Sequence, residues 1–253
     1  MRPVPEWLIP DDVDYVELDL GPLKSGKEAE VFVIERSHAG RSCLLAHKRY
    51  RPRKVKQKGE LEALGFTQSN KFMNDSTYRD GRRFAKSRDQ RAAERMTNYG
   101  KTLLTGRWTG HELEMLQQAW DAGVNVPYPL GERGDGLLMQ FVGNQHGAAP
   151  NLAQARLSAT EAASARAQLI DNLERLVGAG FVHSDLSVYN LLWWEEKLWF
   201  IDFPQAVDVT INPHAFDFLY RDVTNVGTWF ARHGAPFEVD EVYAELVAIA
   251  GLG

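Results

Sequence analysis

Apolar positions in the front of the chain cluster in short strand-like runs, while those in the rear recur at helical spacing. Residues 29–34, with Val31, Phe32, Val33 and Ile34 in succession, predict a strand. A turn over 38–40 leads to a second expected strand at 43–48, so 29–48 reads as a hairpin with a longer loop. Residues 109–122 predict a helix, because Leu113, Leu116 and Trp120 share a face and Gly123 follows as a stop signal. A connector with two prolines, 124–129, precedes a buried strand over 137–142 that Gly143 ends. A second long helix is expected over 158–177: Ser158 and Glu161 match a capping box, and Leu169, Leu173 and Leu176 line one face. Then come a polar loop, a strand at 191–194, a turn at 195–197, a strand at 198–201 and a helical tail. The first residues read as an extended segment with prolines, followed by an acidic patch.

This order describes an α+β chain of two lobes, 1–142 and 143–253, the first β-rich with one helix and the second mainly helical. Clefts between lobes are the usual place for a ligand. At 44% hydrophobic and 25% charged residues, composition is that of an ordinary globular protein, which excludes wholesale disorder. The single cysteine, Cys43, excludes an internal disulfide and a paired-cysteine metal site; it reads as a small core residue in a reducing compartment. Asp11, Asp12, Asp14 and Asp19 stand where a signal peptide would need an apolar stretch, and no run approaches the roughly 18 residues of a membrane span. A soluble, cytoplasmic protein without membrane contact is expected.

The strongest chemical signal is His183-Ser-Asp185-Leu-Ser187-Val-Tyr-Asn190, with Ile201-Asp202 following the next hairpin. Phosphoryl transfer needs an acceptor for the attacking hydroxyl's proton and oxygen ligands that hold Mg²⁺ against a triphosphate. An Asp in a loop, an Asn five residues on and a second Asp beyond a hairpin meet those needs, since the hairpin returns the chain to the same place. A second signal runs from Gly21 through Lys24, Ser25, Gly26 and Lys27. It is nearly a P-loop, but Glu28 replaces the expected hydroxyl residue and a strand, not a helix, follows. A strand–loop–strand covering phosphates fits better. Lys48, ending the second strand, can reach the α- and β-phosphates, with a glutamate of the next helix to hold it. Glu112 is the candidate and Glu114 the alternative; Thr109 to Glu112 also fits a capping box at the helix start.

These segments resemble the RIO kinases, atypical serine/threonine kinases. Lys24-Ser-Gly-Lys-Glu-Ala29 is similar to their nucleotide loop, 183–190 to their catalytic loop, and Ile201-Asp-Phe-Pro-Gln205 to their metal-binding loop. Further matches are Gly123-Val-Asn-Val-Pro127, Leu138-Met-Gln-Phe-Val-Gly143, and Asn212-Pro-His-Ala215 with Asp222 and Asn225 downstream. The resemblance implies a reduced two-lobed kinase fold without a preceding winged helix, in a bacterial member. It implies that Asp185 is the catalytic acid/base, that Asn190 and Asp202 hold Mg²⁺ (or Mn²⁺), and that Lys48, paired with Glu112, anchors the phosphates of ATP. Lys24, Ser25, Gly26 and Lys27 would cradle those phosphates. Met139 would be the gatekeeper, and Gln140, Phe141 and Val142 the hinge that reads adenine through backbone groups. The hinge departs from the family in having Gln140 where Glu is common.

The resemblance leaves the protein acceptor unspecified and implies autophosphorylation. Two other readings stand beside it: a small-molecule phosphotransferase related to aminoglycoside kinases, and an ATP-switched module on a ribonucleoprotein. Net charge bears on the last. The chain carries −5, but residues 48–107 hold 17 Lys/Arg against 6 Asp/Glu, a local balance of +11. Such segregation suits an RNA or ribosomal partner, a solvated insertion, or a lid over the cleft. Tyr50, Phe66, Phe72, Tyr78, Phe84 and Tyr99, set among those charges, could stack on unpaired bases.

Overall fold

The computed structural model describes residues 2–25, 29–50, 98–134 and 136–251, with the backbone alone at 24–25 and 98–108. Gly26 and Lys27 of the nucleotide loop and most of the basic segment therefore lie outside the described residues. The front of the chain forms one antiparallel sheet of β1 (Val16–Ser25), β2 (Ala29–His38), β3 (Arg41–Tyr50), β4 (Pro129–Arg133) and β5 (Gly136–Gln140), in the order β1-β2-β3-β5-β4. The expected hairpin is present, with its turn at Ala39 and Gly40. Its register sets Val31 opposite Lys48 and Val33 opposite Ala46, while β5 sets Leu137 opposite Lys48. A Cβ on Gly136 would fall on the Lys48 carbonyl oxygen, so the close approach of these two strands requires glycine there.

Three expectations are corrected. The end of the acidic patch and the residues after it form strand β1, where Val16, Leu18 and Leu20 alternate with Glu17 and Asp19, a period of two. The helix expected at 109–122 is α1, Asn98–Asp121, and starts eleven residues earlier. Thr109 and Glu112 therefore lie inside it and do not form a start cap. The strand expected to reach Val142 ends at Gln140, although the Phe141 amide still donates to Leu44 O at 3.2 Å.

The rear comprises α2 (Ala159–Gly178), β8 (Phe181–Val182), the hairpin of β9 (Leu191–Trp194) and β10 (Lys197–Phe200), β11 (Val207–Asp208), α3 (Ala215–Arg232) and α4 (Val239–Ala250). Two-residue strands β6 (Gly143–Asn144) and β7 (Gly147–Ala148) follow the connector. The α2 capping box forms: the Glu161 amide donates to Ser158 Oγ, and the Ser158 amide to the Glu161 carboxylate. Pairing of β8 with β11 closes the two loops that carry the chemical motifs against each other.

Apolar burial organises the chain into two clusters. The larger joins Leu116 and Ala119 of α1, Val124, Val126 and Leu137 to Leu169, Leu173 and Leu176 of α2 and Phe218, Leu219 and Val223 of α3. The smaller lies on the other face of the sheet, where Leu8 and Ile9 cover Ile34, Cys43, Leu45 and Leu138. Cys43 is the core residue its sequence context implied. Among the described residues no helix is long and apolar enough to cross a membrane.

Residues 2–15 strap this second face. Arg36, with 2% of its surface exposed, donates to Ile9 O at 2.9 Å and pairs with Asp11 at 2.7 Å and Glu17 at 3.0 Å. Truncating a buried cation strips partners that were arranged around it. Arg36→Ala is therefore expected to lower stability by about 3 kcal/mol. Denaturant unfolding measures it, and a loss below about 1 kcal/mol would mean that the cation is no net support to the strap.

Candidate active site

The site is built around one buried ammonium. Lys48 Nζ lies 2.6 Å from Glu112 Oε1 and 2.6 Å from Asp202 Oδ1. Burial alone would push the lysine down, but the two carboxylates outweigh that and hold it above its ordinary value. Glu112 is buried at 2% exposure and is also held by the Tyr50 hydroxyl and, at 3.3 Å, by the Phe203 amide. Tyr50 is thus a core residue bonded to the site and not an outward stacking platform; Phe66, Phe72, Phe84 and Tyr78 lie outside the described residues, as does the side chain of Tyr99. Glu114 is exposed and accepts from Gln118 at 3.3 Å instead.

The loop at 183–190 is held from below. Asp222 of α3, fully buried, accepts the Ser184 amide at 2.7 Å and the Leu186 amide at 3.0 Å, one on each oxygen. Asp185, between them, is exposed. Ser184 has φ of 61°, in the left-handed region that non-glycine residues rarely occupy. Such a conformation persists where neighbours over-determine it. Here the Ser184 amide goes to Asp222, its carbonyl accepts from Arg221, and its hydroxyl donates to Gln205 O. Asn190 Nδ2 donates to Asp185 O at 2.9 Å, which turns the amide oxygen the other way. His183 is buried against Phe203, and its Nε2 donates to Ile201 O at 3.1 Å. Burial pushes this imidazole below its ordinary value, so it stays neutral and ties the two loops together.

Asp202 has φ of 72° and is about half exposed (side chain 44%), with one oxygen on Lys48. Among the described residues no group of three or more His, Cys, Asp or Glu could hold a metal. Asn190 and Asp202 offer only oxygen atoms, and this sparse, hard donor set suits Mg²⁺, which keeps waters and phosphate oxygens as its remaining ligands.

Behind the sheet, Met139 and Gln140 are half-buried and Phe141 and Val142 buried. The Gln140 side chain accepts the Tyr128 amide at 3.2 Å and its amide donates to Tyr128 O at 2.8 Å, while Val142 O accepts from Ala149 at 2.9 Å. Gly143 has φ of 143°, and a Cβ there would fall on Gly147 O, so the connector turns sharply just past these residues. Lys24 and Ser25 close β1 at the edge of the nucleotide loop.

A β-rich lobe carrying a buried lysine–glutamate pair, over a helical lobe carrying an Asp…Asn loop and a following Asp, defines the two-lobed kinase class. The chain belongs to the RIO family: the family's RIO domain matches residues 65–243. The chain is 33% identical over 173 residues to the RIO-type serine/threonine-protein kinase Rio1 of Thermoplasma acidophilum, covering 68% of this chain and 84% of that one. With Rio1 of Haloferax volcanii it shares 32% over 225 residues, 88% of this chain and 67% of that one. Mouse RIO3 matches at 32% over 60% of this chain, which spans 30% of that longer protein. The Rio2 kinase–ADP/Mg²⁺–phosphoaspartate complex from Chaetomium thermophilum superposes with a TM-score of 0.58 at 18% identity, over 93% of this chain and 66% of that one. These relatives are archaeal and eukaryotic, and they lend no support to the expectation of a bacterial member.

The anchoring role of Asp222 was missed in the sequence, where it counted only as a matching position. Its signal was there: it falls on the apolar stripe Leu219, Val223 and Val226, where a carboxylate needs a reason to be. Burial pushes its carboxyl up to about 7 from 3.8, against the pull of the two amides and Arg221. The folded chain therefore holds a proton that the unfolded chain has released, and stability from this group is lost as pH rises from about 4 through about 7. Asp222→Asn should flatten that part of the stability–pH curve, read by denaturant unfolding at pH 5 and 7.5. An unchanged slope would rule out Asp222 as its source.

Proposed function

We propose that this chain is an ATP- and Mg²⁺-dependent phosphotransferase that moves the γ-phosphoryl group of ATP to serine or threonine hydroxyls of proteins, itself included. The observation that carries this reading is the Lys48–Glu112–Asp202 cluster set beside the exposed Asp185 in a chain of the RIO family. Asp185 takes the proton of the attacking hydroxyl, and its backbone anchorage by Asp222 and Asn190 fixes where that happens. Lys48, held charged by two carboxylates, orients the phosphates; Lys24, Ser25, Gly26 and Lys27 cover them. Met139 and the segment Gln140, Phe141 and Val142 seat the adenine. Asn190 and Asp202 hold Mg²⁺, which when bound offsets the negative charge of the phosphate oxygens; Mn²⁺, with the same liking for oxygen, is an alternative. The Rio2 complex contains a phosphoaspartate; on the family resemblance, Asp202 is proposed to accept the γ-phosphoryl group transiently, with ADP as the leaving group. The lone cysteine suits a reducing, cytoplasmic setting.

The deciding measurement is mass spectrometry of the purified protein incubated with ATP and Mg²⁺, with phosphate expected on Ser, Thr or Asp. Phosphate found instead on an added drug or metabolite would favour the aminoglycoside-kinase-like reading, and binding without turnover the ATP-switched module. Asp185→Asn should lower turnover by about 10² or more with ATP affinity kept, because it removes the proton acceptor and a negative charge while keeping the side chain's size. Asp202→Asn should turn over poorly and be partly rescued by added Mg²⁺. Normal turnover of either variant removes that residue from its role.

The basic stretch at 48–107, most of it outside the described residues, is proposed as a contact for RNA on its charge alone. RNA binding should then fall steeply and log-linearly with salt. No detectable binding at moderate salt would leave the segment as a lid or solvated insertion.

A further inference from the structure

The turn that follows Asp202 is gripped by α1 at both ends. Ala206 N closes the turn on Phe203 O at 3.0 Å. At its start, the Phe203 amide donates to Glu112 Oε1 at 3.3 Å; at its end, His111 Nε2 lies 3.0 Å from Ala206 O. A carbonyl only accepts, so the imidazole carries a proton on Nε2 and donates it. Neighbouring residues of one helix thus take opposite ends of one four-residue turn. A third hold comes from the catalytic loop, where the Ser184 hydroxyl donates to Gln205 O. The turn is itself buried at Phe203 and Ala206, so a released Ala206 carbonyl would lack water to replace its partner.

These holds are not equivalent. Glu112 Oε1 divides itself between Phe203 and the Lys48 ammonium, which the phosphates of a nucleotide would also engage. The His111 bond to Ala206 O involves neither Lys48 nor Glu112, so it does not share an atom with the ion cluster. Asp202, at φ of 72°, takes its place from the residues on either side, and Phe203 and Ala206 fix the far side.

We infer that His111 is a positioning residue: its Nε2–H ties the 203–206 turn to α1 and thereby sets where the Asp202 carboxylate stands relative to Lys48. The inference rests on the phosphotransferase reading above. It is tested by comparing the full chain with His111→Ala and with His111→Gln, whose side-chain amide keeps an N–H at a similar reach. His111→Ala should lower kcat about tenfold, the scale of one lost hydrogen bond in a buried site, and raise the Mg²⁺ needed for half-maximal rate several-fold. KM for ATP should move less, Tm should fall by a few degrees as the unpaired Ala206 carbonyl requires, and His111→Gln should recover most of the rate. A kcat within about twofold of the parent in the alanine variant overturns the inference, and so does a glutamine variant as slow as the alanine one. If the parent turns over no ATP, the phosphotransferase reading fails separately, and His111 is judged by hydrogen exchange at the Phe203 and Ala206 amides without nucleotide. Faster exchange in His111→Ala but not in His111→Gln supports the tie; equal exchange in all three overturns it.

Discussion

A buried ammonium between two carboxylates is tolerable only when all three groups arrive together, and this constraint organises the molecule. Lys48 comes from the central sheet, Glu112 from a helix 64 residues further on, and Asp202 from a loop 154 residues away. Left alone in an apolar interior, Lys48 or Glu112 would cost several kcal/mol. The sheet, α1 and the rear hairpin must therefore meet at one point, or the cluster charges the fold with an uncompensated ion. Glu112 adds to that meeting the Tyr50 hydroxyl and the Phe203 amide, so a single carboxylate joins β3, α1 and the turn after Asp202.

The exposed chemistry rests on buried polar groups rather than on apolar packing alone. Asp185 is exposed while the amides on either side of it are committed to Asp222, and its own carbonyl to Asn190. The neutral His183 does the same for Ile201. Two non-glycine residues in left-handed backbone, Ser184 and Asp202, flank this arrangement. Each stands where the chain must turn out of the core and present a side chain, and each is fixed by bonds from at least one other element.

Local periodicity told most where one face of an element is buried and the other wet. The β2–β3 hairpin, α2 with its capping box, and the β9–β10 hairpin were readable for this reason. Strand β1 was passed over because acidic residues dominated its reading, although Val16, Leu18 and Leu20 carry the alternation on an exposed face. The start of α1 was lost in a stretch that is polar and holds Gly100 and Gly106, both poor helix formers. The 183–190 motif was legible because its residues are close in sequence. The holds contributed by Asp222, Tyr50 and His111 were not, since each acts across 36 residues or more and only the folded chain sets the pairs side by side.

Strand β5 carries a further consequence. Its neighbours Leu137 and Leu138 serve different clusters, one on each face of the sheet, so the strand is a wall shared by two interiors. A slip of one residue would exchange them and leave both interiors wrongly filled. Gly136 acts as a notch in that wall, because only a residue without a side chain fits against the Lys48 carbonyl. Once notched, the strand becomes a ruler: three residues of fixed rise separate the level of Lys48, opposite Leu137, from the point where the chain leaves the sheet at Gln140. The distance along β5 from the level of Lys48 to that exit is thus a length counted off in peptide units.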